Sequence, residues 1–413
     1  MKSTKICFSG TILALALASI GTAAHAQDTL KIGVLATLEG ALTVPGQDGM
    51  RGMELAMRQH NFTAGGKKIE VIRASSTGQP DTAVNAARKL VEQDNVSILI
   101  GPLSGSEGIA IKDYAKTQPN VIFVNGSSAA QETTLKDPAS NFYRFSTDGA
   151  QWSAGLGTYV YNEKGYKNVA VVAEDYSFPY AQVQGFMIEY CKAGGKVTDK
   201  QWVPLGTKDY SSVIAKLPSN IDAIYVALGG ADAVNFLSQY EQSGGDKPFI
   251  GGSITVDQTV LSYKGKRRDS LVGTPAAGPT ADNWDNPDWN KFVQAYRDAK
   301  FDNAYATPGL FAHAYYVNTK AVLDGLDAVN GEVSKLGQQL ATMSVETPTG
   351  PVKLDANRNG VANIFLTEVA KDDSGALYNR VVKVTPNVTQ TLGLSKEEFA
   401  KMGFGTRDNP ECK

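Results

Sequence analysis

Short apolar runs recur along this chain, and a stretch of helical periodicity follows almost every one. KIGVLATL (31–38), IEVIRAS (69–75), VSILIGP (96–102) and NVIFVNG (120–126) are such runs. Between them lie GMRGMELAMRQH (49–60), DTAVNAARKLVEQD opened by Pro80-Asp81, and SEGIAIKDYAKTQ (106–118). A continuous apolar run flanked by helices is what a strand covered on both faces requires. The order βαβαβαβ therefore predicts a doubly wound parallel sheet. After Asp148 the series restarts. QWSAGLGTYVYNEKG reads as one helix, NVAVVAED (168–175) as a strand and YAQVQGFMIEYCKAGG (180–195) as a helix. KVTDKQWVP, SSVIAKLPS, DAIYVALGG (222–230), ADAVNFLSQYEQSGG (231–245) and PFIGGS (248–253) continue the alternation. The fold class expected is α/β: two doubly wound lobes, each with its own sheet, joined by short segments that act as a hinge. Two further helices, NPDWNKFVQAYRDAK and LFAHAYYVNTKAVLDGLDAV, come next. PVKLDANRNG then reads as a strand and turn, and NIFLTEVAKDDSGALYNRVVKV as an antiparallel hairpin.

The N-terminus sets the compartment. Lys2 and Lys5 precede an apolar run from Ile6 to Ile20, and small residues end at Ala24-His25-Ala26. That is the pattern of a secretory signal peptide over residues 1–26. The other reading is a membrane anchor, but the run is shorter than the ~20 residues a span needs. An exported, periplasmic chain beginning at Gln27 is expected. It would keep two cysteines, Cys191 and Cys412, which in an oxidising compartment are expected to pair. The alternative is two free thiols. With 40 Lys+Arg against 42 Asp+Glu, no strong field favours nucleic acid.

Ligands of open α/β sheets bind beyond the carboxyl ends of the strands. Here those loops are small and rich in hydroxyls. GPLSGSEG (101–108) places Ser104 and Ser106 before a helix, and NGSSAAQET (125–133) places Ser127 and Ser128 likewise. Hydroxyls and free N–H groups at a helix start form a neutral anion site; the plainer reading is helix capping. In the second series the loop after NVAVVAED holds Tyr176, Phe178 and Tyr180. These suit a flat apolar ligand, or pack on their own lobe. LGGAD (228–232) and GGSIT (251–255) end the next two strands without a charge until Asp232.

Together KIGVLATLEG…DGMRGMELA, ILIGPLSGSEG, VIFVNGSSA, VAVVAEDYSFPYAQ and FIGGS resemble the type I periplasmic solute-binding proteins of ABC transporters, in the branched-chain amino acid-binding family. The resemblance implies an N-terminal lobe from residues 27–148 and 277–349, and a C-terminal lobe from 149–276 and 350–413. It implies that Ser104, Gly105, Ser106, Gly126, Ser127 and Ser128 hold a ligand carboxylate. Phe178, with Tyr180 close by, stands near a tyrosine of the amino acid-binding members. Ser253 stands where those members carry the acid that pairs with the ligand ammonium, and Gly229 replaces an aromatic. Missing that acid, an ammonium would lose a bond worth ~1.5–3 kcal/mol. Gly229 and Ser253 are also expected to leave room. The chain is thus similar to the branch that binds aromatic acids, such as benzoate-, cinnamate- or arylpyruvate-like compounds. The alternatives are an amino acid whose ammonium meets Asp175, Asp232 or Asp257, or a short amide. The resemblance further implies a monomer that delivers its ligand to permease subunits, with Cys191 and Cys412 on one lobe. A sensor for a membrane receptor is the other reading.

Catalytic readings fare worse. Neither serine loop matches G-x-S-x-G, and past the signal segment only His60 and His313 could act as a histidine base. There is no P-loop and no G-x-G-x-x-G. Asp355-Ala-Asn357-Arg-Asn359-Gly360 opens like a calcium loop, but the twelfth position is Leu366, so a polar turn is expected. No enzyme, metal or cofactor is expected.

Overall fold

The structure, a computed structural model, describes residues 1, 4, 28–263 and 269–412. The expected signal segment, apart from Met1 and Thr4, lies outside the described residues. The first sheet holds β1 (Thr29–Thr37), β2 (Thr63–Ala64), β3 (Lys67–Ser76), β4 (Ile98–Ile100), β5 (Ile122–Val124) and β6 (Phe142–Tyr143). Their spatial order is β2-β3-β1-β4-β5-β6, parallel except for the β2–β3 pair. The second holds β7 (Asn168–Glu174), β8 (Lys196–Val203), β9 (Ala223–Ala227), β10 (Phe249–Gly251), β11 (Pro275–Gly278), β12 (Ser344–Thr347), β13 (Gly350–Leu354), β14 (Gly360–Lys371) and β15 (Leu377–Val388). Its order is β12-β13-β14-β11-β10-β9-β7-β8, with β15 on β14. The five-strand parallel run of each sheet has the order second, first, third, fourth, fifth. That order reverses between β1 and β4 in one sheet and between β7 and β9 in the other. The crevice beyond such a reversal is where open sheets bind ligands.

Alternation along β1 explains why it is buried on both faces. Ile32, Val34 and Ala36 meet Met53, Met57 and Tyr315 from the helices Thr43–Gln59 and Leu310–Ala328. Leu35 faces the other way, against Ala83, Ala87 and Ile111 of the helices Pro80–Arg88 and Gly105–Ala115. Successive strand side chains point to opposite faces, and each such aliphatic burial stabilises by ~1.5–3 kcal/mol. β7 repeats the device. Val169, Val171 and Ala173 meet Phe186 and Tyr190, while Ala170 and Val172 meet Phe236 and Tyr240. In the first lobe the helices Thr43–Gln59 and Leu310–Ala328 cross at Gly52, where a Cβ would come 1.9 Å from the Ala312 carbonyl oxygen.

Two elements depart from the sequence reading, and both matter to the site. The helix expected over QWSAGLGTYVYNEKG breaks at Gly155, which has φ 85. A short turn Gln151–Ser153 precedes the helix Leu156–Asn162. The next helix begins at Ser177, three residues earlier than the pattern suggested, and runs to Lys192.

The chain passes between the lobes after β6, after β11, and through β12 and β13. A buried polar network ties the first of these crossings to the last. Arg144 donates to Asn359 Oδ1 (2.6 Å), Ala130 O (2.7 Å) and Thr134 Oγ1 (2.9 Å). Gln151 spans from Asn359 to the Gly360 and Val388 carbonyls. The calcium-like segment is a turn. The Asp355 carboxylate accepts the Asn357 and Asn359 N–H groups. The tail after the helix Lys396–Met402 lies along the second lobe, and Cys412 is bonded to Cys191. Among the described residues no helix is long and apolar enough to cross a membrane.

Candidate functional site

The first lobe presents the helix Gly105–Ala115. Ser104 caps it: its Oγ accepts the Glu107 N–H, and Glu107 accepts the Ser104 N–H in return (3.0 Å). The Glu107 carboxylate also takes the Gly78 N–H (3.1 Å) and the Thr37 hydroxyl (3.1 Å). Burial pushes its pKa up. Ser104 Oγ donates onward to Gly78 O (3.0 Å), so the hydroxyl is spent on the loop itself. The helix start proper, Gly105 and Ser106, faces the other lobe.

The second lobe answers with the helix Ser177–Lys192. Its N-cap is Tyr176, and no side chain caps it. The first N–H groups of a helix have no acceptor within it. The two helix starts meet nose to nose: Ser106 Oγ is 3.1 Å from Ser177 Oγ, and a Cβ on Gly105 would come 2.8 Å from Phe178 N. Both helices direct the positive end of their dipoles at this point.

Beside it lies a cleft lined by Leu42, Leu103, Gly105, Ser127 and Ala129, and by Trp152, Tyr176, Phe178, Ile254 and Phe311. Trp152 and Phe178 pack edge-on at 5.3 Å, and Tyr176 lies 6.2 Å from Phe178. Among the described residues no charged side chain lines the cleft. Beneath it Glu174 is buried, accepts the Gly229 N–H (2.9 Å) and is pushed up to about 8 by burial, with Asp232 adding to the rise. Burial thus favours the neutral form of Glu174.

Of the residues singled out from sequence, Gly105, Ser127 and Phe178 line the cleft, and Ser106 stands at its rim. The others lie elsewhere. Gly126 packs behind it, where a Cβ would come 2.4 Å from Tyr315 Cζ. Ser128 Oγ abuts Gly108. Tyr180 turns outward, its hydroxyl on Asp175 and its ring against Trp202. Gly229 does not open space, because Ile254 Cδ1 would lie 2.9 Å from a Cβ there. Ser253 accepts a hydrogen bond from Gln182 Nε2 (2.7 Å) and lines a separate small pocket with Asp257 and Asp282. The expected room at Gly229 and Ser253 is thus filled by neighbouring side chains. Each acid considered for an ammonium is engaged. Asp175 pairs with Arg407, Asp232 accepts the Gly206 N–H (2.7 Å) and Asp257 the Leu310 N–H (2.7 Å).

Sequence reasoning missed Leu42, Leu103, Ala129, Trp152, Ile254 and Phe311. Trp152 was hidden in an apparent helix that breaks at Gly155 and leaves it in the short turn Gln151–Ser153. Phe311 lies in LFAHAYY, which reads as core. Its position in the cleft follows from the helix start at Leu310, after a long return connection from the second sheet.

A family profile described as periplasmic binding protein matches residues 29–375. A Leu/Ile/Val-binding protein homolog from Brucella melitensis is 26% identical over 90% of this chain and 95% of its own length. An ABC transporter substrate-binding protein from Sphaerobacter thermophilus superposes with a TM-score of 0.77 at 27% identity, over 88% of this chain and 99% of that one. A solute-binding protein of an ABC transporter from Rhodopseudomonas palustris, solved with 3,4-dihydroxybenzoic acid, gives a TM-score of 0.80 at 25% identity, over 88% and 99%. With two doubly wound sheets, a cleft at their carboxyl ends and a profile spanning both, the chain belongs to the periplasmic binding protein family.

Proposed function

We propose that this protein captures an aromatic carboxylate between its lobes and hands it to a membrane permease. The observation that carries this reading is the pairing of opposed helix starts, at Gly105 and Ser177, with a cleft of aromatic and aliphatic walls. An anion between two helix N-termini is favoured by both dipoles. A ring beside it gains from burial against Trp152, Tyr176 and Phe178. In this reading Gly105, Ser106 and Ser127 receive the carboxylate, and Phe178 stacks on the ring. The solute-binding relative solved with 3,4-dihydroxybenzoic acid supports the ligand class. The signal segment, delivery to a permease and monomeric action belong to the same proposal.

A branched-chain amino acid is the second reading, favoured by the name of the Brucella relative. It requires a carboxylate facing the ammonium, and the cleft lining holds none among the described residues. A thermal-shift screen of the protein lacking residues 1–26 decides between them. Benzoate, hydroxybenzoates, cinnamates and arylpyruvates are set against leucine, isoleucine, valine and small amides. At about 100 times its dissociation constant a binder adds ~2.7 kcal/mol. A shift with aromatic acids and none with leucine is expected. A shift with leucine alone would sink the proposal.

A further inference from the structure

The N-terminus of the helix Leu310–Ala328 receives two buried carboxylates from opposite lobes. Asp48, on the first-lobe helix Thr43–Gln59, accepts the Ala312 N–H (3.1 Å). Asp257, which follows β10 of the second sheet, accepts the Leu310 N–H (2.7 Å). Both crowd Gly309. A Cβ there would come 2.6 Å from Asp48 Oδ2 and 2.9 Å from Asp257 Oδ2. The Asp257–Leu310 hydrogen bond joins the lobes, so it exists only when they are together.

The charges at this point do not balance. Asp48 has Arg51 at 3.2 Å and the Tyr296 hydroxyl at 3.1 Å. Tyr305 lies under the Arg51 guanidinium. From the second lobe come Asp257 and, beyond it, Asp282, which accepts from Gln258 and from the Asn379 N–H. Asp257 also accepts the Thr259 N–H (2.9 Å) as the cap of the short helix Gln258–Leu261. Among the described residues one guanidinium and these two helix starts, only the longer of them worth roughly half a charge, stand against the pair Asp48 and Asp257. The tyrosines contribute neutral hydroxyls. With Asp282 the deficit grows. A buried, undercompensated carboxylate is relieved by taking a proton.

We propose that Asp48 and Asp257 form a proton-dependent latch between the lobes, which closes as one carboxylate takes up a proton from solvent. Opening exposes both groups to water and releases that proton. Burial, and then Asp257, raise Asp48 to about 6 in the closed form, and burial raises Asp257 as well. The sign follows. A group whose pKa is higher in the closed form favours closure at low pH, and that preference is lost as pH rises through the closed-form value. One linked proton changes the closed-to-open ratio by up to about tenfold per pH unit within the window. The latch rests on the two-lobe capture proposed above, but not on the class of ligand.

The test uses the chain without its first 26 residues, in solution scattering at about pH 5 and about pH 8 with no ligand added. A smaller radius of gyration at the lower pH is expected. Asp257→Asn keeps an acceptor for the Leu310 N–H and stays neutral, so it should be compact at both values. Asp48→Asn repeats the test from the other lobe, and calorimetric unfolding of each variant verifies that it is folded. An unchanged radius in the parent chain overturns the latch, as does a pH step that survives in Asp257→Asn. In a second arm, 3,4-dihydroxybenzoate is titrated near pH 6 in two buffers of different ionisation heat. Proton uptake in the parent and none in Asp257→Asn supports the latch, and binding without uptake in the parent overturns it. Failure of this probe to bind counts against the ligand class alone, because the scattering arm decides the latch without it.

Discussion

Gly105 is the residue on which the proposed capture turns most directly. A methyl group there would meet Phe178 N and Cβ at 2.8 Å, both on the facing lobe. Gly105→Ala should leave each lobe folded and oppose their closure. Its unfolding midpoint without ligand is expected to stay near that of the parent, while affinity for an aromatic acid falls at least tenfold by calorimetry. Phe178→Ala removes stacking area worth ~1.5–3 kcal/mol, so affinity should drop by about ten- to a hundredfold. Tyr180→Phe should leave it unchanged, since that hydroxyl faces Asp175 and the tail. Equal losses at Phe178 and Tyr180 would refute the placement of the ring. At this scale the sequence was half legible. Gly105 and Ser106 could be placed because the strand–loop–helix pattern fixes where their helix starts, whereas Phe178 stood out only as an aromatic of a strand-end loop, its helix beginning earlier than the pattern suggested. Ile254 could not, because its place was decided by the side chain missing at Gly229. Nor could Trp152, because the helix read across it breaks at Gly155 and leaves it in the short turn Gln151–Ser153.

The elements that frame the site differ in what secures them. β1 and β7 are held by apolar runs, and those runs were readable because burial on both faces leaves no room for polar residues. The short helix Lys396–Met402 and the tail after it carry no such pattern and are held by particular contacts. Trp202 Nε1 donates to Arg407 O (3.0 Å), Lys200 Nζ to Asp408 O (2.8 Å) and Gln184 Nε2 to Gly403 O (2.6 Å). Arg407 pairs with Asp175 through Nε at 2.7 Å, and Cys412 closes the strap on Cys191. Replacing both cysteines by serine should cost about 2–4 kcal/mol in denaturant unfolding. Because the bond stays within the second lobe, ligand affinity should change less than twofold in the same variant. A large loss of affinity would mean that the tail also governs the aromatic loop.

At the scale of the whole molecule, several buried acids give stability an unusual pH dependence. Glu174 is held at about 8 and Asp282 at about 7, both mainly by burial. A carboxyl whose folded pKa is raised contributes stability at low pH that is lost as pH rises through the folded value. His313 works the other way. Burial lowers it to about 3, so its contribution is present above its ordinary pKa of 6.5 and is lost as pH falls. Between about pH 6.5 and 8.5 the acids dominate. The unfolding midpoint should fall as pH is raised across that window, and a flat or rising midpoint would show that these groups are solvated. None of this was visible in the sequence, since a Glu at the end of a strand run looks like a surface residue until the sheet around it is assembled.

The three crossings restrict how the lobes can move, and the rim fixes where they stop. Ser106 meets Ser177, and the backbone of Gly230 comes so close to Ala41 that a Cβ would stand 2.6 Å from its carbonyl oxygen. A jaw with fixed stops is a thickness gauge. With the stops touching, only about 20 Å³ is left between the walls, so any guest must part them, and a planar ring would part them least. A tetrahedral, branched guest would hold the jaw wider, before any hydrogen bond had tested its chemistry. Shape would then be judged first and charge second, so chemically diverse flat acids would compete for one site while close aliphatic analogues would not.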